Sequence, residues 1–168
     1  TGIVKRYSVL LKRKGIKFHV KTRIEESQKT ESGKIQLKFN DQLEEFDQVL
    51  VSVGRRVNTE GLPQDIELND KGQISVNTRM ETNLPGFFAV GDVNGLQMLA
   101  HSAVAQGQIV IENLVNNKQL EFKPETVPFV VYTSPELAGV GLTEEEARGK
   151  YDDVKTGNFT FRALGRAL

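Results

Sequence analysis

The chain has 168 residues, and its 22 basic side chains balance its 22 acidic side chains, so the formal net charge is zero. Such a balance provides no net field that favours nucleic acid or an anionic membrane. No apolar run reaches the roughly 20 residues that cross a bilayer, so we expect neither nucleic acid nor a membrane as a partner. The chain has no cysteine and two histidines, which excludes disulfides and thiolate chemistry within it and predicts no metal site.

The first part of the chain predicts a helix followed by short strands. Apolar residues in residues 3–14 form one helical stripe, which Gly15 can end. Residues 16–20 alternate between polar and apolar side chains as a strand does. Residues 34–39 alternate in the same way before the turn formers Asn40 and Asp41, and this pattern predicts a β-hairpin.

Two apolar runs of strand length predict buried strands in the middle of the chain. Residues 46–53 form a nearly continuous apolar run, which suits a strand covered on both faces of a parallel sheet. Residues 87–90 are a second run, bounded by Gly86 and Gly91. We therefore expect Asp92 to emerge at the carboxyl end of that strand, where ligands of open α/β sheets bind.

The remaining elements are predicted from turn signals and spacing. A hairpin is expected where residues 66–68 and 74–76 flank a turn at residues 69–72. A helix is expected from about Ala100, with a linker at residues 122–125 and strands at residues 127–132 and 157–161. The predicted helix buries one face, made of Ala103, Gly107, Val110 and Leu114, and a capping box at Thr143 and Glu146 predicts a second, short helix.

Asp92 and the helix that follows it form the strongest ligand signal in the sequence. The free N–H groups at the start of that helix, near residues 99–101, are predicted to point back toward the loop that carries Asp92. A carboxylate accepts hydrogen bonds from hydroxyl groups, and the positive end of a helix favours an anion. The sequence therefore predicts one cavity that is lined by the Asp92 carboxylate and by the positive end of the following helix.

Residues 82–103 resemble the second flavin motif of the pyridine nucleotide-disulfide oxidoreductases. The stretch Met98-Leu99-Ala100-His101 narrows this resemblance to the dihydrolipoamide dehydrogenase branch of that family. The resemblance implies that Asp92 hydrogen-bonds the ribityl chain of FAD, and that the backbone of Met98, Leu99, Ala100 and His101 lies along the pyrimidine edge of the flavin. The helix dipole would stabilise the negative charge that a reduced flavin carries there.

Residues 51–59 resemble the segment that closes the NAD domain of the same family. A Gly-Arg-x-Pro-Asn pattern is usual at this point, and Val57 stands in place of the proline. The resemblance implies that Gly54 lies near bound NAD and that Ile24 lies beside its adenine half. For Ile24, a purely structural place in a hydrophobic core is an equal alternative.

The resemblance also implies the fold class and the domain organisation. The expected fold is α/β, part of a flavoprotein with two dinucleotide-binding domains, here incomplete NAD and FAD Rossmann-like domains, followed by the start of an α+β dimerisation domain. Residues 1–57 are expected to be the C-terminal half of the NAD-binding domain, and residues 58–121 the returning segment of the FAD-binding domain. Residues 122–168 would begin the dimerisation domain, so the chain would correspond to the middle of a longer, homodimeric enzyme.

The activity implied by the resemblance is oxidation of protein-bound dihydrolipoyl groups with FAD and NAD. Its partners would be the lipoyl-bearing components of 2-oxo acid dehydrogenase or glycine cleavage complexes, in the cytoplasm of a bacterium or in the mitochondrial matrix or plastid of a eukaryote. The chain lacks the family's cysteine pair, its Gly-x-Gly-x-x-Gly fingerprints and its His-Pro…Glu base. His19 and His101 have no carboxylate at the spacing of a catalytic dyad, so we assign no catalytic residue and no metal ligand, and expect the chain alone to be inactive.

Two other interpretations remain open at this point. Glutathione reductase-like enzymes share the Gly-Asp motif, but they generally have Thr-Pro at the positions of Ala100 and His101. A non-catalytic nucleotide-binding or interaction module is also compatible with a chain that has none of the redox residues.

Overall fold

The computed structural model describes residues 2–161 and residue 164. The chain divides into two compact units, residues 1–54 and residues 55–168. Each unit has its own secondary structure and packing.

The first unit begins with the predicted helix. Helix α1 spans Gly2–Arg13, and Gly15 follows with a positive φ of 85°, a conformation that glycine adopts without a Cβ penalty. Lys12 and Arg13 lie in its last turn, where their positive charges interact favourably with the negative end of the helix dipole. The predicted helix and its stop signal are confirmed.

A three-stranded antiparallel sheet completes the first unit. Its strands are β1 (Glu26–Lys29), β2 (Ile35–Phe39) and β3 (Gln42–Phe46), in the order β1-β2-β3. Asn40 and Asp41 connect β2 to β3 with positive φ angles of 49° and 58°, as the tightest hairpin turns require. The predicted hairpin is therefore confirmed, and its Phe39 is buried, with the His19 ring edge-on at 5.0 Å between centroids.

Two strands predicted for this part of the chain are wrong. Residues 16–20 form no strand, and Val20 is 78% exposed. The run at residues 46–53 leaves strand conformation after Phe46, and Leu50 and Val53 are 89% and 92% exposed. A strand needs a neighbour for its backbone N–H and C=O groups, and no described strand pairs with residues 16–20 or with residues 47–53.

The second unit opens with chain reversals rather than regular strands. The predicted hairpin around residues 69–72 forms a single bridge, Leu68 to Ile74, closed by a bond from the Asn69 N–H to the Gln73 carbonyl at 2.8 Å. The strand predicted at residues 87–90 is also wrong. Only one bridge forms there, between Glu81 and Phe88.

Helix α2, which spans Ala100–Asn116, packs on the core of the second unit. The core contains Met80, Val110 and Phe122, which are at most 8% exposed. Phe122 was predicted to open a linker, and that prediction is wrong because its ring lies in this core. The predicted helix is confirmed, but Leu114 on its predicted buried face is 57% exposed.

The last described segment contains a small hairpin and a short helix. Strand β4 (Phe129–Val131) pairs antiparallel with β5 (Leu137–Gly139), which confirms the strand predicted near residue 127. Helix α3 spans Glu144–Lys150, and both halves of the predicted capping box at Thr143 are present. The strand predicted at residues 157–161 is wrong, since none of these residues has strand conformation.

The capping box makes the start of α3 sensitive to pH. The Thr143 backbone N–H and hydroxyl both donate to Glu146 Oε2 at 2.8 Å, and these bonds lower the pKa of Glu146 below its ordinary value of 4.5. The stabilisation is therefore complete above pH 4.5 and is lost as the pH falls through the lowered pKa. We expect amide hydrogen exchange in α3 to accelerate on acidification beyond its intrinsic pH dependence.

Glu146→Gln is the matched control for this prediction, because its amide oxygen still accepts the two bonds but does not titrate in this range. The variant should keep its exchange protection in acid. The same loss of protection in both proteins would show that Glu146 does not control the start of α3.

Candidate functional site

The candidate site is built around a 3₁₀ turn, Gly91–Asn94, which we call the Asp92 turn. Gly91 has a φ of 81°, a conformation that favours glycine. A Cβ at Gly91 would lie 3.2 Å from the Cβ of Ala103 in α2. Asp92 is therefore presented by a turn that packs closely on the first part of α2, and not directly by the end of a strand.

A buried hydrogen-bond network fixes the Asp92 turn to α2. Gln106 Oε1 accepts bonds from the Gly91 N–H at 2.7 Å and from Asn94 Nδ2 at 2.8 Å. Asn94 Nδ2 also donates to the Ala89 carbonyl at 3.0 Å, and Gln106 Nε2 donates to Ser102 Oγ at 3.3 Å. Because Gln106 and Ser102 are fully buried, these bonds have little competition from water and define the position of the turn.

Arg55 connects Asp92 to the segment before α2. One guanidinium nitrogen, Nη1, lies 2.8 Å from Asp92 Oδ2, and the other, Nη2, donates to the Met98 carbonyl at 2.7 Å. The side chains of Arg55 and Asp92 are 64% and 45% exposed. The contact therefore joins the carboxylate to the helix start at the surface of the unit, where a ligand can reach both.

The start of α2 leaves its first N–H groups without a side-chain cap. Leu99 is the N-cap residue and makes no side-chain cap bond, so the positive end of the helix dipole is unneutralised by a capping side chain. The ring of His101 points elsewhere, because its Nε2 lies 2.6 Å from the Pro128 carbonyl. A carbonyl only accepts, so Nε2 carries the hydrogen and donates it to Pro128.

A cavity of about 240 Å³, which we call the Asp92 cavity, brings Arg55, Asp92 and Met98 together. Its lining residues are Arg55, Arg56, Val57, Asn58, Asp92, Val93 and Met98. Pockets for whole drug-sized ligands measure about 300–1,000 Å³, so this cavity fits one part of a larger ligand. A larger cavity of about 730 Å³ lies along α2 between residues such as Ile109 and Leu120 and contains none of the site residues predicted from sequence.

The structure brings together only some of the residues that the resemblance assigns to cofactors. Asp92 and Met98 line one cavity, and Leu99 and Ala100 follow directly at the start of α2. Gly54 and Ile24 belong to the first unit. Gly54 has a φ of 127°, and Ile24 is 50% exposed within this chain.

Sequence reasoning missed two residues that organise this site. Arg55 stands within Gly-Arg-Arg, where nothing in the local pattern indicates a contact with Asp92, 37 positions away (92 − 55). Gln106 left a detectable signal, because Ser102, Gln106 and Val110 share one helical face at four-residue spacing. Two polar residues in line with a buried valine indicate a buried polar network.

Matches to family models cover most of the chain. Residues 2–107 match the model described as pyridine nucleotide-disulphide oxidoreductase. Residues 127–168 match the model of the pyridine nucleotide-disulphide oxidoreductase dimerisation domain. These matches confirm the family resemblance and the α/β fold class expected from the sequence, although every strand pair among the named strands of the described residues is antiparallel.

Curated relatives support the narrower resemblance to dihydrolipoamide dehydrogenases. The chain is 50% identical over 126 residues to the dihydrolipoyl dehydrogenase of Thermus scotoductus, a match that covers 73% of this chain and 27% of that protein. It is 36% identical over 174 aligned residues to the mitochondrial dihydrolipoyl dehydrogenase of Rattus norvegicus, covering 98% of this chain and 34% of that protein. The chain thus spans about a third or less of the length of these relatives.

A solved structure shows the same fold. The HOCl-induced flavoprotein disulfide reductase RclA from Escherichia coli superposes with a TM-score of 0.85 at 24% identity, over 99% of this chain and 39% of that one.

Among residues 2–161, no helix is long and apolar enough to cross a membrane, and no cluster of acidic and histidine side chains is arranged to hold a metal ion. With a family model matched across more than half of its residues, the chain belongs to the pyridine nucleotide-disulphide oxidoreductase family.

Proposed function

We propose that this chain supplies part of the flavin site of a dihydrolipoyl dehydrogenase. One observation carries the proposal: Asp92 and Met98, which lies two residues before α2, line one cavity. This arrangement offers an acceptor for hydroxyl groups beside the positive end of a helix. A ribityl chain followed by the electron-rich edge of a flavin requires these two features side by side.

The residues of the site fit FAD in the following roles. Asp92 accepts a hydrogen bond from a ribityl hydroxyl, and the backbone of Met98, Leu99, Ala100 and His101 follows the pyrimidine edge. The uncapped start of α2 favours negative charge at that edge. When bound, FAD supplies the two-electron chemistry, while these residues bind and orient it.

The proposal extends to NAD and to the domain boundaries. Gly54 is proposed to lie near bound NAD, because it has no Cβ and nothing lies within 4 Å of where one would be. Ile24 offers an exposed apolar side chain for the adenine half. In this assignment residues 1–57, 58–121 and 122–168 belong to the NAD-binding, FAD-binding and dimerisation domains.

The proposed substrates and partners follow from the named relatives. The substrates are dihydrolipoyl groups on components of 2-oxo acid dehydrogenase or glycine cleavage complexes, and residues 127–168 contribute to a homodimer. The chain has no cysteine, so the redox disulfide of the proposed enzyme is not formed by its residues. The matched relatives include a bacterial and a mitochondrial protein, which leaves cytoplasm, mitochondrial matrix and plastid as proposed locations.

A hybrid enzyme tests the proposal. In this hybrid, the chain replaces the matching segment of the Thermus scotoductus dihydrolipoyl dehydrogenase, which supplies the remaining parts of the enzyme. We expect the hybrid to reduce NAD with dihydrolipoamide, because the matching segments are 50% identical over 126 residues. The unaltered Thermus enzyme is the control.

The substrate preference of the hybrid separates the alternatives. Activity with dihydrolipoamide and NAD supports the proposal. A hybrid that instead prefers glutathione disulfide and a reduced nicotinamide cofactor would favour the glutathione reductase-like class. A folded, dimeric hybrid without either activity would contradict the proposal and favour a non-catalytic module.

A further inference from the structure

We infer that Arg55 is a positioning residue of the flavin site, and this inference rests on the proposed function. Its guanidinium contacts Asp92 Oδ2 at 2.8 Å and the Met98 carbonyl at 2.7 Å. Asp92 Oδ1 makes no hydrogen bond to any residue that the structure describes. Arg55 therefore holds the carboxylate through one oxygen and leaves the other for a ribityl hydroxyl.

The exposure of the pair indicates that it contributes little to the stability of the fold. The two side chains are 64% and 45% exposed, and ion pairs in such positions are weakened by water and salt. The contact nevertheless joins the two groups assigned to the ribityl chain and the pyrimidine edge. Its main effect is to restrict the side chain of Asp92 and the backbone of Met98 before the cofactor binds, which reduces the entropy lost on binding.

The geometry requires arginine specifically. The planar guanidinium presents Nη1 and Nη2 in a fixed fork, and here each nitrogen contacts a different acceptor. A lysine ammonium is a compact point charge on a flexible stem. Arg55→Lys should therefore keep attraction to Asp92 but lose the simultaneous contact with Met98, and it should give an intermediate effect.

A double-mutant cycle on FAD binding tests the inference in the hybrid holoenzyme described above. Arg55→Gln should weaken FAD binding by roughly 2- to 10-fold, the cost expected when one side chain must be ordered on binding. In an Asp92→Ala background, the same substitution should have a much smaller effect, because Arg55 acts largely through Asp92. Flavin fluorescence on dilution gives the dissociation constants independently of enzyme activity.

Arg79→Gln is the matched control. Arg79 is also a half-exposed arginine, with an ion pair to Glu81 at 3.4 Å and a hydrogen bond to Gln119 at 2.6 Å. It lies outside the residues that line the Asp92 cavity. Its replacement removes a comparable pair of contacts and should leave FAD binding unchanged.

The outcomes separate failure of the inference from failure of the proposed function. If Asp92→Ala weakens FAD binding but Arg55→Gln behaves like Arg79→Gln, or if the two effects simply add, Arg55 is not a positioning residue. If neither Asp92→Ala nor Arg55→Gln changes FAD binding, the site assignment itself is wrong. If the unsubstituted hybrid folds but binds no FAD, while the unaltered Thermus scotoductus enzyme does, both proposals are overturned.

Discussion

Replacing Asp92 with alanine in the hybrid enzyme is expected to weaken FAD binding by roughly 10- to 150-fold. The substitution removes a charged acceptor, and hydrogen bonds to charged groups contribute about 1.5–3 kcal/mol, where each 1.4 kcal/mol corresponds to about tenfold in affinity. The carboxylate is 45% exposed, so its loss should not unfold the protein. The measurement is the FAD dissociation constant, from flavin fluorescence released on dilution.

Glu81→Ala is the control for Asp92→Ala. Glu81 is a half-exposed carboxylate paired with an arginine, Arg79, at 3.4 Å, but it does not line the Asp92 cavity. The Glu81→Ala hybrid should therefore bind FAD as tightly as the unsubstituted hybrid does. If the alanine variants of Glu81 and Asp92 retain FAD equally well, then Asp92 does not contact the ribityl chain.

The second large effect is expected at Gln106. Gln106→Leu removes the acceptor shared by the Gly91 N–H and the Asn94 amide, and leaving a buried donor unsatisfied costs about 1–3 kcal/mol. We expect urea unfolding of the hybrid to show that Gln106→Leu lowers its free energy of unfolding by about that amount. FAD affinity should fall as well, because the Asp92 turn is no longer fixed to α2.

Gln108→Leu provides the comparison for Gln106→Leu. Gln108 lies on the same helix but on its exposed side, so the substitution has the same chemistry without burial. Its unfolding midpoint should stay close to that of the unsubstituted protein. Equal midpoints for the two leucine variants would mean that the network around Gln106 does not stabilise the turn.

Local signals in the sequence were enough to predict several elements. The Asn40-Asp41 turn, the glycine after α1 and the capping box at Thr143 each depend on residues that are near neighbours in the chain. The backbone preferences of such residues act over a few positions. These predictions are confirmed because no distant partner is needed to satisfy them.

The wrong strand predictions share one physical cause. Residues 46–53 and 87–90 have the apolar composition of buried strands, but a strand forms only when a neighbour accepts and donates its backbone hydrogen bonds. Among the described residues, the first run has a strand neighbour only at Phe46, and the second has one bridge. The apolar composition of these runs indicated burial, but it did not show whether a neighbouring strand was present to pair with them.

The candidate site was only partly predictable for a similar reason. Asp92 and the start of α2 are separated by a few residues, so their proximity could be expected from the sequence. Arg55 reaches Asp92 and Met98 through tertiary structure, and no local pattern encodes that contact. Gln106 could have been identified, since a buried polar residue on an apolar helical face requires a partner.

The most direct test of the proposed flavin site is the visible absorbance of the purified hybrid after incubation with FAD and gel filtration. If this chain supplies the ribityl and pyrimidine side of the site, flavin will elute with the hybrid at about one FAD per polypeptide. A folded hybrid that elutes without flavin, while the unaltered Thermus scotoductus enzyme retains it, would contradict the proposed flavin site.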